Sequence, residues 1–310
     1  MSQNKKFSIT ALPPIEPQQN LDFAVGDSAL GILDLVGKWE GTGFNNIWRP
    51  FNPISTSDHF LELNLTLETL EFVDNVGSVP NRGLLQPDIQ FPGITYLQQI
   101  SDANVKDANG NNVGLHIEPG IWLAVPSTSN PQEPATVVRM GSIPHGTTIV
   151  AQGTSQIADG APSIPNNDIA PFPIGQPNQP IPFSTSNLSI PTPFRSSGEQ
   201  LNGITQEMVN NPNSVLQQAL NGQVIKNTVT FNISTTATPP IIGGGAANIA
   251  FLLPNADVAN VSFTMWIETV QGENGQPDFL QLQYTQVVLL NFNTLSWPHV
   301  TVGTLRKVSD

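Results

Sequence analysis

The chain has 310 residues, no cysteine, 28 prolines and only 11% charged residues, with a formal charge of −13. That acidity opposes nucleic-acid binding, which rests on Lys and Arg neutralising phosphates. The lack of cysteine excludes disulfides, thiolate catalysis, zinc–thiolate and iron–sulfur sites and covalently attached c-type haem.

The length allows one or two domains with an ample core. Residues 1–29 are weakly patterned and read as an arm. MSQNKKFSITALPP carries two lysines but no apolar stretch like that of a secretory signal, and no run of about 18 apolar residues occurs. The expectation is a soluble cytoplasmic protein that neither spans a membrane nor binds nucleic acid.

Leu30–Val36 has helical spacing and is stopped by Gly37. Phe60–Phe72 (FLELNLTLETLEF) then alternates, with Phe60, Leu61, Leu63, Leu65, Leu67 and Leu70 interleaved with Glu62, Asn64, Thr66 and Glu68. Such alternation predicts a strand with leucines inward and polar residues outward. Gly93–Val105, Gly120–Ser127, Ala135–Pro144 and Thr147–Ile157 continue a meander, and the Asn-Gly of Asp107–Asn112 is turn chemistry.

Between Ala161 and Phe194 nine prolines accompany a single charged residue, Asp168. Such a segment forms neither ladder strand nor helix interior, and its Phe172, Phe183 and Phe194 argue for extended backbone draped on a surface. Gly198–Gln223 predicts two short helices split at Pro212, with Asn213 or Ser214 capping the second and Gly222 ending it. Strands resume at Val224–Thr238, Val261–Gln271, Phe279–Phe292 and Trp297–Val308. Nine or ten strands with hairpin connections imply an antiparallel barrel or sandwich interrupted once.

Chemistry must come from four histidines, a few carboxylates or a bound cofactor. The Gly243–Gly245 run lacks phosphate-loop spacing and a lysine, and no nucleophile elbow is present. His59, His116, His145 and His299 lie in or beside predicted strands, where a histidine is ordinarily a satisfied core or surface residue. Two have suggestive contexts: His116 lies two residues from Glu118, on the same strand face, and His299 follows a proline on the last strand. Trp39, in VGKWEGTG, is placed to plug the closed end of a small barrel or simply to fill a core.

Three segments in order resemble the nitrobindin-like haem-binding β-barrels, relatives of the calycins. They are VGKWEGTG, the strand–turn–strand ending in GLHIEPGIW, and the closing LSWPHVTVGTLRKV. The resemblance implies an all-β, antiparallel calycin-like barrel of about ten strands from residues 30–157 and 224–310. Residues 158–223 are then an added Pro-rich and helical insertion, covering an open ligand edge or filling the pocket.

The resemblance further implies a non-covalent b-type haem (haem b) with His299 as iron ligand and His116 beside the pocket. His145 departs from the family pattern and is a candidate distal residue, so His116 and His145 are the candidate catalytic pair. Trp39, Met140 and Arg139 join His116 as candidate cofactor contacts, with Arg49 and Arg306 as further cations for the propionates. Without thiolates only histidine or tyrosine (Tyr96, Tyr284) could ligate iron. The implied function is binding of nitric oxide or other small diatomic and nitrogen-oxide ligands, peroxynitrite isomerisation, or other haem-dependent chemistry such as peroxidase-like or dehydratase activity. A homodimer is also implied. The alternatives are a non-haem calycin-type carrier of an apolar small molecule, and a structural or assembly protein.

Overall fold

The computed structural model describes residues 31–51 and 57–309, so the arm assigned to residues 1–29 lies outside the described residues. After a 3-10 turn at Leu33–Leu35, β1 (Gly37–Pro50), β2 (His59–Asn81), β3 (Ile89–Lys106) and β4 (Asn112–Val125) form an antiparallel meander. A small pair, β5 (Thr128–Ser129) and β6 (Gln132–Glu133), precedes β7 (Thr136–Ile143) and β8 (Thr147–Asp159). A long segment with β9 (Phe172–Pro173), α1 (Gln206–Asn210) and α2 (Ser214–Ala219) leads to β10 (Ile225–Ser234) and β11 (Gly245–Asn248). The chain ends with β12 (Asp257–Val270), β13 (Phe279–Phe292) and β14 (Leu295–Ser309).

Ten strands run in the order β1-β2-β3-β4-β7-β8-β10-β12-β13-β14 and close through β1–β14 pairing, with Thr42 opposite Thr304. The expected all-β antiparallel barrel of about ten strands is therefore the observed fold. An eight-stranded barrel is just wide enough for its own side chains to fill. Ten strands leave a wider interior, and this chain fills only one half of it. Trp39, Phe72, Trp122, Phe231, Phe263, Met265 and Leu305 pack that closed half.

The insertion lies against the outside of the barrel. Trp48 Nε1 donates to the Ile169 carbonyl at 2.8 Å. Backbone bonds join Leu61 to Phe194 and Ser196 to Leu61, each 3.0 Å. Gln283 Nε2 donates to the Leu216 carbonyl of α2 at 3.1 Å, and the Thr285 hydroxyl to Asn213 Oδ1 at 2.8 Å. Asn213 occupies the N-cap position of α2 but spends its side chain on Thr285 and Pro165, while Thr205 caps α1 through the Met208 N–H. Phe183 packs against Trp48, His59 and Trp297. These contacts cover the outer wall of β13, β14, β1 and β2, and no residue of 160–223 lines the cavity described below.

Covering that wall inverts the expected sense of β2. Leu61 and Leu63 point outward and are buried beneath the insertion, while Leu67, beyond its edge, is 41% exposed. Thr66 and Glu68 face inward, Glu68 at 3% exposure. The phase then favours apolar residues inside again, with Leu70 and Phe72 in the closed-half core.

Candidate functional site

The unfilled half holds a cavity of about 340 Å³. Ile47, Ile143, Leu252, Val258, Val288 and Leu290 form its apolar walls, and Arg49 and Glu62 lie at 3.0 Å from each other on its lining. Its polar lining includes Asn45, Asn64, Gln98, Tyr284, Gln286 and Thr301. His116, His145 and His299 all line it, so the fold brings together three histidines from β4, the β7–β8 turn and β14. A second cleft of about 770 Å³ against β1–β4 shares Ile100, Leu115, His116 and His145 with the first.

Two buried carboxylates underlie this half. Glu118 accepts from Arg139 Nη2 at 2.6 Å and from the Tyr96 hydroxyl through Oε1, and its Oε2 lies 3.2 Å from His116 Nε2. Arg139 also donates to the Tyr96 hydroxyl oxygen at 3.0 Å and to Gln286 Oε1 at 2.8 Å. Burial alone would raise the Glu118 carboxyl, but the Arg139 charge and the His116 and Tyr96 hydrogen bonds outweigh it and hold it at about 2. Glu68 has no such cation. Burial pushes it up to about 7, against donation from the Tyr284 hydroxyl at 2.6 Å and the Thr66 hydroxyl at 2.7 Å.

Two inward glycines make room for these groups. A Cβ at Gly141 would collide with Glu118 Oε1 and the Tyr96 hydroxyl, and one at Gly43 with Glu68 Oε1. The Gly-rich entry VGKWEGTG is thus explained in part by a carboxylate on the adjacent strand, β2. Glu68, Asn45, Asn64 and Asp102 were not singled out in the sequence. Their signal is polar residues at inward positions of otherwise apolar strands, legible only once the phase of each strand is known.

His299 is the best-defined of the three histidines. Its Nε2 lies 2.7 Å from Asn45 Oδ1, and Thr301 donates to the same oxygen at 2.9 Å. Burial, then the neighbouring His116 and His145, push its pKa down to about 3, so the ring is neutral. Burial also lowers His145, whose ring lies 6.2 Å from that of His116.

The other expected contacts are distributed differently. Trp39 is fully buried in the closed half, with Nε1 donating to the Leu35 carbonyl at 2.7 Å, and it does not line the cavity. Met140 stands opposite Ile121 and Val150, on the face of β7 that alternates away from Arg139 and the interior, and is likewise no part of the wall. Arg139 faces inward but is consumed by Glu118, Tyr96 and Gln286. Of the cations considered for propionates, Arg306 lies over the Phe279 ring at 3.9 Å, away from the cavity, leaving Arg49 on its lining.

The donor set can be compared with what a non-covalent haem requires where no thiolate is present: an imidazole or phenolate ligand and an apolar slot. His299 supplies the imidazole. Burial raises both tyrosine hydroxyls away from ionisation, and both are engaged with carboxylates, so neither offers a phenolate. Among the described residues no cluster of three or more His, Asp and Glu side chains is arranged to hold a bare metal ion. The residues fit a single-imidazole haem site. The 340 Å³ cavity is at the small end of ligand sites, and a larger flat ligand has the adjoining cleft beside it.

No protein-family model matches the chain, and no curated protein matches it. Among solved structures it is similar to the crystal structure of Rv2717c from M. tuberculosis, with 14% identity and a TM-score of 0.39. That likeness covers 91% of this chain and 99% of the other. It is a loose similarity of fold. Among the described residues no helix is long and apolar enough to cross a membrane.

Proposed function

We propose that the open half of the barrel binds a b-type haem, with His299 as the iron ligand. The observation that carries this reading is the placement of His299: an imidazole on the cavity wall, with Nε2 2.7 Å from Asn45 Oδ1. A metal-binding histidine ordinarily has its second nitrogen held in this way. The apolar walls suit the body of a macrocycle, and Arg49 is the cation on the cavity lining. Bound haem would supply an iron able to take up small diatomic or nitrogen-oxide molecules, with nitric oxide binding and peroxynitrite isomerisation as the reactions the sequence resemblance favours.

The chain's own contribution to such chemistry is proton management. His116 Nε2 faces the Glu118 carboxylate, which pairs with Arg139, and His116 lines the cavity, a placement that suits it to exchange a proton with a ligand there. His145, partly buried and shifted toward its neutral form, is the second acceptor within reach.

The test is the absorption spectrum of the purified protein after addition of haemin, with and without nitric oxide. A Soret band that survives His145→Ala and disappears in His299→Ala is the expected result. No band in the wild type, or one indifferent to His299→Ala, overturns the reading. The small cavity with mainly aliphatic walls favours a second reading, a carrier of an apolar small molecule, for which native mass spectrometry would find an organic ligand and His299 would be dispensable.

A further inference from the structure

We infer that Asp102, acting through Asn64 and Asn45, fixes which nitrogen of His299 carries the proton and so which nitrogen is offered to a ligand. The inference deepens the haem reading and rests on it for the identity of what that nitrogen binds. The four residues form one chain of hydrogen bonds. Asp102 Oδ1 accepts the backbone N–H groups of Asn104 at 2.7 Å and Val105 at 3.0 Å. Its Oδ2 accepts from Asn64 Nδ2 at 2.8 Å. Asn64 Oδ1 accepts from Asn45 Nδ2 at 3.1 Å, and Asn45 Oδ1 faces His299 Nε2 at 2.7 Å.

The direction of this chain follows from its far end. A carboxylate only accepts, so the Asn64 amide must present its NH₂ to Asp102 and its oxygen to Asn45. The Asn45 amide must then donate to Asn64 and turn its own oxygen toward β14. Reversing either amide would set oxygen against oxygen. Asn45 Oδ1 therefore receives the Thr301 hydroxyl at 2.9 Å and the His299 Nε2 proton. Asp102 and Asn64 are buried, at 2% and 0% exposure, so water does not compete for the bond between them. With its proton on Nε2, the neutral His299 ring carries its lone pair on Nδ1. Asp102, Asn64 and Asn45 are thus positioning residues, acting on a ligand only through the imidazole.

Nitrogen-15 spectra of the histidine rings of the ligand-free protein test this directly. His299 should show a single tautomer with its proton on Nε2. Asp102→Asn, whose amide can donate as well as accept, removes the fixed direction and should give a mixture, as should Asn45→Leu, with the His145 signals unchanged. In the same variants haemin affinity, read by titration of the Soret band, should weaken about 10- to 100-fold, the usual loss when the partner of a metal-binding histidine is removed. The Fe(III)/Fe(II) midpoint potential should rise, because the imidazole loses the acceptor that makes it electron-rich. A wild-type His299 protonated on Nδ1 overturns the inference, whether or not haemin binds and whether or not the variants fold. So do variants whose tautomer and affinity match the wild type. An Nε2 proton without any Soret band overturns the haem reading instead and leaves the hydrogen-bond chain standing.

Discussion

Arg139 and Glu118 form an ion pair of 2.6 Å in the barrel interior, the two side chains 2% and 0% exposed. Removing one partner of such a pair leaves a charge in a site that water cannot reach. Arg139→Met should therefore destabilise the fold by about 3–5 kcal/mol in urea denaturation at pH 7. The pair also has a defined pH dependence. The folded-state Glu118 carboxyl is held at about 2, below its ordinary 4.5, so its contribution is present above pH 4.5 and is lost as pH falls toward 2. In Arg139→Met that acid-side loss should be absent. A loss of stability under 1 kcal/mol would show that the carboxylate finds another donor.

Two other buried carboxyls shift the opposite way. Burial raises Glu68 to about 7 and Glu268 to about 8, and Glu268 has Gln281 Nε2, at 2.7 Å, on one oxygen and no partner among the described residues on the other. Between pH 4.5 and these values the unfolded chain has released protons that the folded chain retains. Stability therefore falls as pH rises through that window and levels off above pH 7 for Glu68 and pH 8 for Glu268, with a slope of at most about 1.4 kcal/mol per pH unit for each proton. Glu268→Gln should flatten the decline between pH 5 and 8 and leave the acid limb, set by Glu118, in place. Parallel wild-type and variant curves would refute the assignment.

These carboxyls also mark how far the sequence could be read. Strand number, antiparallel order and the ends of β13 follow from alternation and turn residues, because both reflect local backbone geometry. Alternation states that two faces differ; it does not state which one is inside. In β2 the leucines were expected inward, yet Leu61 and Leu63 point out because the Pro-rich segment supplies an apolar cover, and Glu68 points in, where the Tyr284 and Thr66 hydroxyls donate to it. His116 and Glu118 were legible as partners because two residues along a strand share a face. Asn45, Asn64 and Asp102 come from three strands and meet only through register, which no local pattern encodes.

Trp39 separates the stability of the barrel from its binding function. It is a core plug, bonded to the Leu35 carbonyl and packed in the closed half, and it lines neither the cavity nor the cleft. Trp39→Ala should cost about 3–5 kcal/mol of stability. Haemin titration of the folded variant at low temperature should return the wild-type affinity. A weakened affinity at full folding would place Trp39 in the ligand site after all.

Within the insertion, Arg195 gathers the backbone of residues 185–190. Arg195 Nη1 donates to the carbonyls of Thr185 at 2.6 Å and Asn187 at 2.8 Å, and Nη2 donates to that of Ile190 at 3.0 Å. A proline-rich segment has few N–H groups with which to satisfy its own carbonyls, so one guanidinium serves as the shared donor for three of them. The neighbouring bonds between Leu61, Phe194 and Ser196 tie the same point to the outside of β2. Arg195→Met keeps much of the side chain's apolar stem while leaving those carbonyls without their donor, at about 1–3 kcal/mol for a buried unsatisfied group. Because the insertion covers the outer wall and not the cavity, the loss should be local. Amide hydrogen exchange should quicken across residues 184–196 and at Leu61, with the N–H groups of β7 and β8 on the far side of the barrel and haemin affinity unchanged. Faster exchange throughout the barrel would instead mean that the insertion and the barrel unfold as one unit.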